Sequence, residues 1–332
     1  LQSPVIVSAG KVIYSGKDHF VYARDALTGK SVWRFETHGK VAAAATAKDG
    51  LVFIGQYGGD HKFYALDEET GKPIWTKSNM SVWASPECKN NQLFVGDEDG
   101  NLYCMDSGNG DIMWQRKFGG GIYSAPAVDE KRVYTGSWDR YYYCLDRHDG
   151  RIVWAFSMPG IPYHVGGRPD SPTPVLVDNM VIAPILGGRM IALNKENGTL
   201  IWYWHAPIPW RICNVTAATD GKIVIASIFG NAYECPFGLT LFGLDIKTGK
   251  EVWQIPDCGG LTSPVITAGG NFIVGSMGSP YIKGYKLSTS ENQEPKLLWQ
   301  LRTEGVMYES LPAVSGNMAF FLPNDGYIYA IK

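Results

Sequence analysis

The amino-acid sequence predicts an all-β fold, an eight-bladed β-propeller of four-stranded antiparallel blades, and three observations lead there. One phrase recurs along the chain: "YARDALTGKSVW" at 22–33, "YALDEETGKPIW" at 64–75, "YCMDSGNGDIMW" at 103–114, "YCLDRHDGRIVW" at 143–154, "IALNKENGTLIW" at 191–202 and "FGLDIKTGKEVW" at 242–253. A Ser/Ala-rich segment, often with Pro, accompanies the phrase, as in "SPVIV" at 3, "ASPEC" at 84, "SAPAV" at 124, "SPTPVLV" at 171, "TSPVI" at 262 and "SLPAV" at 310. Short apolar runs bounded by Gly, Asn and Asp fill the intervals, which are strand and turn signals. Counting the Ser/Ala-rich signatures gives eight units, beginning near residues 3, 41, 84, 124, 171, 214, 262 and 310, as one propeller domain over 1–332. Seven blades is the alternative count.

Each unit reads as four strands. In the fourth, the inner strand is placed at 122–128, the second at 132–136, the third at 141–146 and the fourth at 151–156. Alternation in "YYYCLD" sets aromatic and small residues on opposite faces, as a strand requires. The phrase carries an Asp-x-x-x-Gly-x-x-x-Trp core, with Asn once in place of Asp. Its Gly permits a tight turn with positive φ, and its Trp is placed to cover the gap to the neighbouring sheet. One such sheet cannot bury both faces alone, so the sheets stack radially. A degenerate seventh copy ends at Trp299, and the eighth unit stops at "YIYAIK", 327–332, after its third strand. The last blade is then either three-stranded or completed by residues preceding Leu1.

Composition narrows the function classes. The 332 residues are 45% hydrophobic and 19% charged, with formal net charge −2; that gives no electrostatic footprint for nucleic acid. No apolar stretch reaches the length of a membrane-spanning helix. Leu1 in place of Met is read as a processed start. The six cysteines include no C-x-x-C pair and no adjacent pair. Cys104 and Cys144 fall where other copies carry Ala or Gly and are read as small core residues, while a Cys235–Cys258 disulfide is left open. Three N-x-[ST] sequons occur. Asn79 and Asn197 fall in expected exposed turns open to glycosylation, and Asn214 falls in an expected inner strand. The sequons lean toward a secreted protein of the secretory pathway.

The "YALD-x-x-TGK-x-x-W" phrase resembles the repeat of the pyrroloquinoline quinone (PQQ)-like β-propeller superfamily, and the resemblance covers almost all of the chain. It implies the propeller fold. The superfamily includes quinoprotein alcohol dehydrogenases, an eight-bladed outer-membrane assembly lipoprotein and propellers without cofactor, so it does not fix an activity. The quinoprotein enzymes carry a vicinal disulfide and a calcium site in much longer chains; those residues have no counterparts that can be placed one by one here. The expectation is therefore no cofactor, with PQQ and calcium as the alternative.

The repeat is broken in its second half, where successive tryptophans lie further apart. The added length is placed at 157–170, 202–214 and 229–239, in connections that share one face of a propeller. These segments hold His164, His205, Arg168, Arg211, Asp170, Tyr163, Trp204, Trp210 and Tyr233. Starts of other inner strands add Trp83, Tyr123, Tyr308 and Glu309 toward the same end. Aromatic walls with a few polar groups suit a small-molecule site. Each residue also has a plainer reading: solvated histidines, arginines paired with Asp170, Trp204 packed beneath its loop, and Trp83 and Tyr123 as channel filler. Trp138 and Arg140 are read first as turn residues and second as mouth residues. No zinc, EF-hand, nucleophile-elbow or phosphate-loop motif occurs.

The sequence reading is a secreted propeller that binds an apolar small molecule, leaning toward an enzyme without a redox cofactor. The expected chemistry is dehydration or cyclisation, for instance a hetero-Diels–Alder step. His164 or His205 would act as general acid/base, Arg168 and Arg211 would stabilise developing anionic charge, and Glu309 is a further acidic candidate. Trp83, Tyr123, Tyr163, Asp170, Trp210, Tyr233 and Tyr308 would hold substrate. A protein-interaction scaffold and a PQQ-dependent dehydrogenase are the alternatives, and a homo-oligomer is left open.

Overall fold

The computed structural model describes residues 4–16, 18–41, 43–157, 173–185, 188–207, 214–229, 240–255, 264–267, 270–275, 280–288, 293–307 and 312–332. Their strands form eight sheets, seven four-stranded and the last three-stranded, each a simple meander in which sequence neighbours pair antiparallel. The fold is an eight-bladed β-propeller, and the first strands of the eight sheets begin at residues 6, 46, 87, 127, 175, 214, 265 and 313. No helix occurs among the described residues, so none is long and apolar enough to cross a membrane.

In the third blade the strands are Glu87–Lys89, Gln92–Gly96, Asn101–Asp106 and Ile112–Lys117. In the fourth they are Ala127–Val128, Arg132–Ser137, Tyr141–Asp146 and Ile152–Ser157. The inner strand of the fourth blade is shorter than its sequence suggested, because Ile122–Ala125 belongs to the incoming connection, which pairs with loops rather than with a strand. In the fifth blade, Leu200–His205 is the fourth strand. The expected insertion at 202–214 therefore starts only after a regular strand, whose W-x-W alternation buries Trp202 and Trp204. The eighth sheet has Ala313–Ser315, Met318–Phe321 and Tyr329–Ile331.

The chain divides into two compact units, 1–160 and 161–332. In the first, neighbouring blades share apolar layers. Ile13, Val21 and Trp33 of blade one pack with Val52, Ile54 and Leu66 of blade two. Phe53, Phe63 and Ala65 turn the other way, onto Leu93, Val95 and Met105 of blade three. Residues 52 to 54 thus serve two different interfaces in turn, the period-two rule of a strand buried on both faces. In the second unit the same logic packs Ile182 and Met190 with Val224 and Phe242, and Ile282 with Met307 and Phe321.

The repeated phrase builds a clasp. Asp67 Oδ1 accepts from Thr70 N–H and its hydroxyl, both at 2.7 Å. Gly71 N–H donates to the Asp67 carbonyl, and Asp67 N–H to that of Lys72. The turn needs a left-handed residue, and Gly71 supplies φ of 70° without a Cβ penalty. The indole of the preceding blade then lies on that glycine: a Cβ on Gly71 would meet Trp33 Cδ2 at 2.6 Å. Trp33 Nε1 donates to the Glu68 carbonyl at 2.9 Å, while Glu68 N–H donates to Gly50 O in its own blade. One residue after the Asp thus ties two turns of its blade to the tryptophan of the previous one. Equivalent indole bonds run from Trp75 to Ser107, Trp114 to Arg147, Trp202 to Ile246 and Trp253 to Ser288. Cys104 and Cys144 are fully buried, as read from the sequence. Both stand opposite the tryptophan of their own blade, the slot that Gly243 fills opposite Trp253, where a Cβ would come within 2.1 Å of the indole.

Candidate functional site: an aromatic ledge on blades two to four

Turns between first and second strands and between third and fourth strands share one end of each meander. The second-to-third loops and the blade-to-blade connections share the other. At that other end, five side chains in the first unit come from five separated segments. Tyr57, Glu98 and Trp138 follow the second strands of blades two, three and four; Trp83 and Tyr123 lie in the connections between them.

The backbone fixes this alternation. Tyr57 N–H donates to Lys40 O, Glu98 N–H to Ser81 O and Trp138 N–H to Gly121 O, at 2.8, 3.0 and 3.0 Å. In return Val82 N–H donates to Gln56 O, and Ile122 N–H to Asp97 O. Each connection is therefore stitched between the loops of the blades it joins. Val82 is wholly buried and would clash with any side chain at Gly55. That contact leaves its neighbour Trp83 half-buried at the surface.

The rings are close-set. Tyr57 and Trp83 stack with centroids 3.6 Å apart. Trp83 and Tyr123 meet edge-on, 6.5 Å apart with planes at 71°. Tyr123 and Trp138 lie 4.3 Å apart at 51°. Trp83 Nε1 donates to Glu98 Oε2 at 2.8 Å. The ledge ends on Trp138, which is 44% exposed. Burial, and after it the charges of Glu98 and Asp99, push the Tyr123 phenol above its ordinary value, so it stays a neutral donor.

Beneath the rings a second Asp–Tyr layer holds the loops. Asp97, 1% exposed, accepts from Asn101 N–H and Nδ2 and from Tyr103 Oη. Asp139 accepts from Gly119 N–H, Tyr141 N–H and Tyr143 Oη. Burial and the neighbouring carboxylate raise the Tyr103 and Tyr143 phenols.

Of the residues singled out in the sequence, Trp83 and Tyr123 are brought together here, and Trp138 joins them. Arg140 sits in the same loop with φ of 74°. His205 is exposed at the end of the outermost strand of blade five, opposite Arg189. Trp204 lies within the strand Leu200–His205 rather than in a loop, buried, edge-on to Phe242, its Nε1 bonded to Glu251 Oε1 at 2.8 Å. Asn79 and Asn197 are exposed in turns, and Asn214 begins the first strand of blade six. His164, Arg168, Asp170, Tyr163, Trp210, Arg211, Tyr233, Tyr308, Glu309, Cys235 and Cys258 lie outside the described residues. Tyr57 and Glu98 were missed. The signal was available: "GQY", "GDE" and "GSW" align on the glycines at 55, 96 and 136, and their third positions are Tyr57, Glu98 and Trp138.

The eight-sheet meander, the Asp–Gly–Trp clasp and the sequence phrase together define a PQQ-like β-propeller. Residues 1–85 and 63–209 match the PQQ_2 family, described as outer membrane protein assembly factor BamB, and the chain belongs to that family. It is 30% identical over 121 residues to the serine/threonine-protein kinase AfsK of Streptomyces griseus, which is 35% of this chain and 14% of that protein. It is 30% identical over 83 residues to the dehydrogenase subunit of a quinone alcohol dehydrogenase of Gluconobacter oxydans, 25% of this chain and 11% of that one. The chain thus spans a small part of both curated relatives. Among solved structures, BamB from Moraxella catarrhalis superposes with TM-score 0.77 at 18% identity, covering 99% of this chain and 95% of that chain. Quinohemoprotein alcohol dehydrogenase from Comamonas testosteroni does so with TM-score 0.73 at 14% identity, covering 99% and 69%. At these identities the likeness is one of fold.

Among the described residues no three His, Cys, Asp or Glu side chains converge to hold an ion.

Proposed function

We propose that the chain is a ligand-binding propeller whose working surface is the ledge from Tyr57 to Trp138. The observation that carries this is the alternation itself: four rings and one carboxylate, from five segments, meet on one face and end on an exposed indole. Packing does not require that exposure. The clasp indoles of Trp33, Trp114, Trp202 and Trp253 are buried, whereas Trp138 leaves 44% of its surface in water, at a cost that contact with a bound apolar or planar molecule removes.

This supports the binding half of the sequence reading. The finer expectation, a cofactor-free lyase or cyclase in the secretory pathway, rests on acid–base groups other than those of the ledge. His164, Arg168, Arg211 and Glu309 lie outside the described residues, and His205 stands on an outer strand. A protein-interaction scaffold is the second reading, favoured by Ile74, Ile112 and Met113, each about half exposed on outer strands. The test is ligand-observed NMR with a mixture of small aromatic and alkylammonium compounds, on wild type and Trp138→Ala. Binders whose signals recover in the variant support the ledge. An absence of binders, or binding indifferent to Trp138, overturns it and leaves the scaffold.

A further inference from the structure

The ledge carries more than apolar area, and its charge points to the class of ligand, an inference that rests on the ledge being a binding surface. Glu98 is half-buried among the rings and has one described partner, the Trp83 indole N–H. Asp99 is its exposed neighbour. Neither carboxylate has an ion pair with a basic side chain among the described residues, and Lys117 Nζ donates to the Asp99 carbonyl oxygen instead. Several acids elsewhere in this unit are ion-paired, Arg132 with Asp146 at 2.8 Å, Lys89 with Glu130 at 2.9 Å and Lys11 with Glu69 at 2.6 Å, and Asp97 and Asp139 at the same end of the blades are held by three hydrogen bonds each. The carboxylates of Glu98 and Asp99 have one described hydrogen bond between them, from the Trp83 indole, and no basic partner among the described residues.

The rings are arranged for the same charge. Trp83 and Tyr123 stand at 71° and Tyr123 and Trp138 at 51°, so the rings turn their faces in different directions along the ledge rather than forming one flat stack. Ring faces carry negative quadrupole potential and attract cations, Trp most strongly. Glu98 accepts the Trp83 N–H, which draws that proton toward the carboxylate and enriches the indole ring. A neutral planar ligand would use the stacking area but gain nothing from an unpaired carboxylate, whose desolvation it would have to offset. An anion would be repelled.

We propose that the ledge binds a small organic cation of the alkylammonium class, seated against the rings of Trp83, Tyr123 and Trp138 with Glu98 as its counter-charge. The methyl or methylene groups meet the ring faces, and a charge held this way needs no directional hydrogen bond.

The experiment uses the full chain and two probes of matched shape: choline, and its neutral isostere 3,3-dimethylbutan-1-ol. Each is titrated by calorimetry or NMR against wild type, Glu98→Gln and Trp138→Ala. The expected result is at least about tenfold tighter binding of choline than of the isostere, the scale of ring and counter-charge contacts to one cation. Glu98→Gln should erode that preference, and Trp138→Ala should weaken choline without unfolding the protein, since that indole is exposed. Equal binding of the two probes, or a preference unchanged in Glu98→Gln, overturns the cation while leaving the ledge as a binding surface. Binding of neither probe overturns the cation; the ledge itself then falls only if the aromatic compounds also fail.

Discussion

Gly71 and Gly29 make a matched pair that measures the clasp. Both occupy the same turn, with φ of 70° and 69°. They differ in what covers them. A Cβ at Gly71 would lie 2.6–2.9 Å from three atoms of the Trp33 ring, whereas at Gly29 no described atom lies within 4 Å. Alanine at either site carries the left-handed penalty, about 1–2 kcal/mol. At Gly71 the ring must also move, and Trp33 is 7% exposed with its Nε1 tied to Glu68 O, so it cannot swing away freely. Overpacking of this kind costs about 1–3 kcal/mol more. Gly29→Ala should therefore lose about 1–2 kcal/mol and Gly71→Ala about 2–5 kcal/mol, the sum of the two penalties. Urea titrations followed by tryptophan fluorescence, with circular dichroism as a second probe of cooperativity, would measure both. Equal losses would refute the argument, because the indole contact would then contribute nothing beyond backbone strain.

Other outcomes are expected from the same clasp and from the buried thiols. Trp33→Phe leaves the Glu68 carbonyl without its donor and should cost about 1–3 kcal/mol by the same urea assay; no loss would mean that water replaces the indole. Asp25 and Asp67 are held below the usual carboxylate range, first by the Thr28 and Thr70 hydroxyls and then by their N–H groups. A carboxyl lowered on folding stabilises above its unfolded value of about 3.9 and loses that contribution as pH falls through the folded one. A Thr28→Val/Thr70→Val variant should lose less Tm than wild type between about pH 6 and pH 2, and an identical acid limb would count against this. Burial pushes the Cys104 thiol up to about 12 and the half-buried Cys88 thiol up to about 11. At about pH 8 both should react with iodoacetamide far more slowly than in urea, and rapid native alkylation of Cys104 would contradict its placement in the core.

The clasp was legible in the sequence because one local rule is repeated. Asp sets the turn, Gly accepts the left-handed φ and Trp covers the next blade, so spacing alone exposes the unit and fixes the third and fourth strands within a residue. The first strands were less legible. Ala127–Val128 is only two residues long, since the connection ahead of it bonds to loop carbonyls, and nothing in "GGIYSAPAV" distinguishes such bonding from a strand. The ledge was half legible. Trp83 and Tyr123 stood out as large residues at the starts of inner strands, but Tyr57 and Glu98 looked like ordinary loop residues. Their partnership depends on hydrogen bonds between a loop and the connection beside it, pairings that no periodicity reports.

The two ends of each blade are under different constraints, and this explains where variation collects. At the clasp end the Asp side chain, the glycine backbone and the residue after the Asp are all committed: Glu68 alone serves Gly50 O through its N–H and Trp33 through its carbonyl. A substitution there disturbs a neighbouring blade as well as its own. At the opposite end the loops are held by backbone bonds and by Asp–Tyr pairs such as Asp97–Tyr103 and Asp139–Tyr143. Those bonds fix the loop without using the side chain two places after the second-strand glycine. That position is Tyr57 in blade two, Glu98 in blade three and Trp138 in blade four. One scaffold position thus carries a ring, a charge and an exposed indole in three successive blades while the strand pairing around it stays the same.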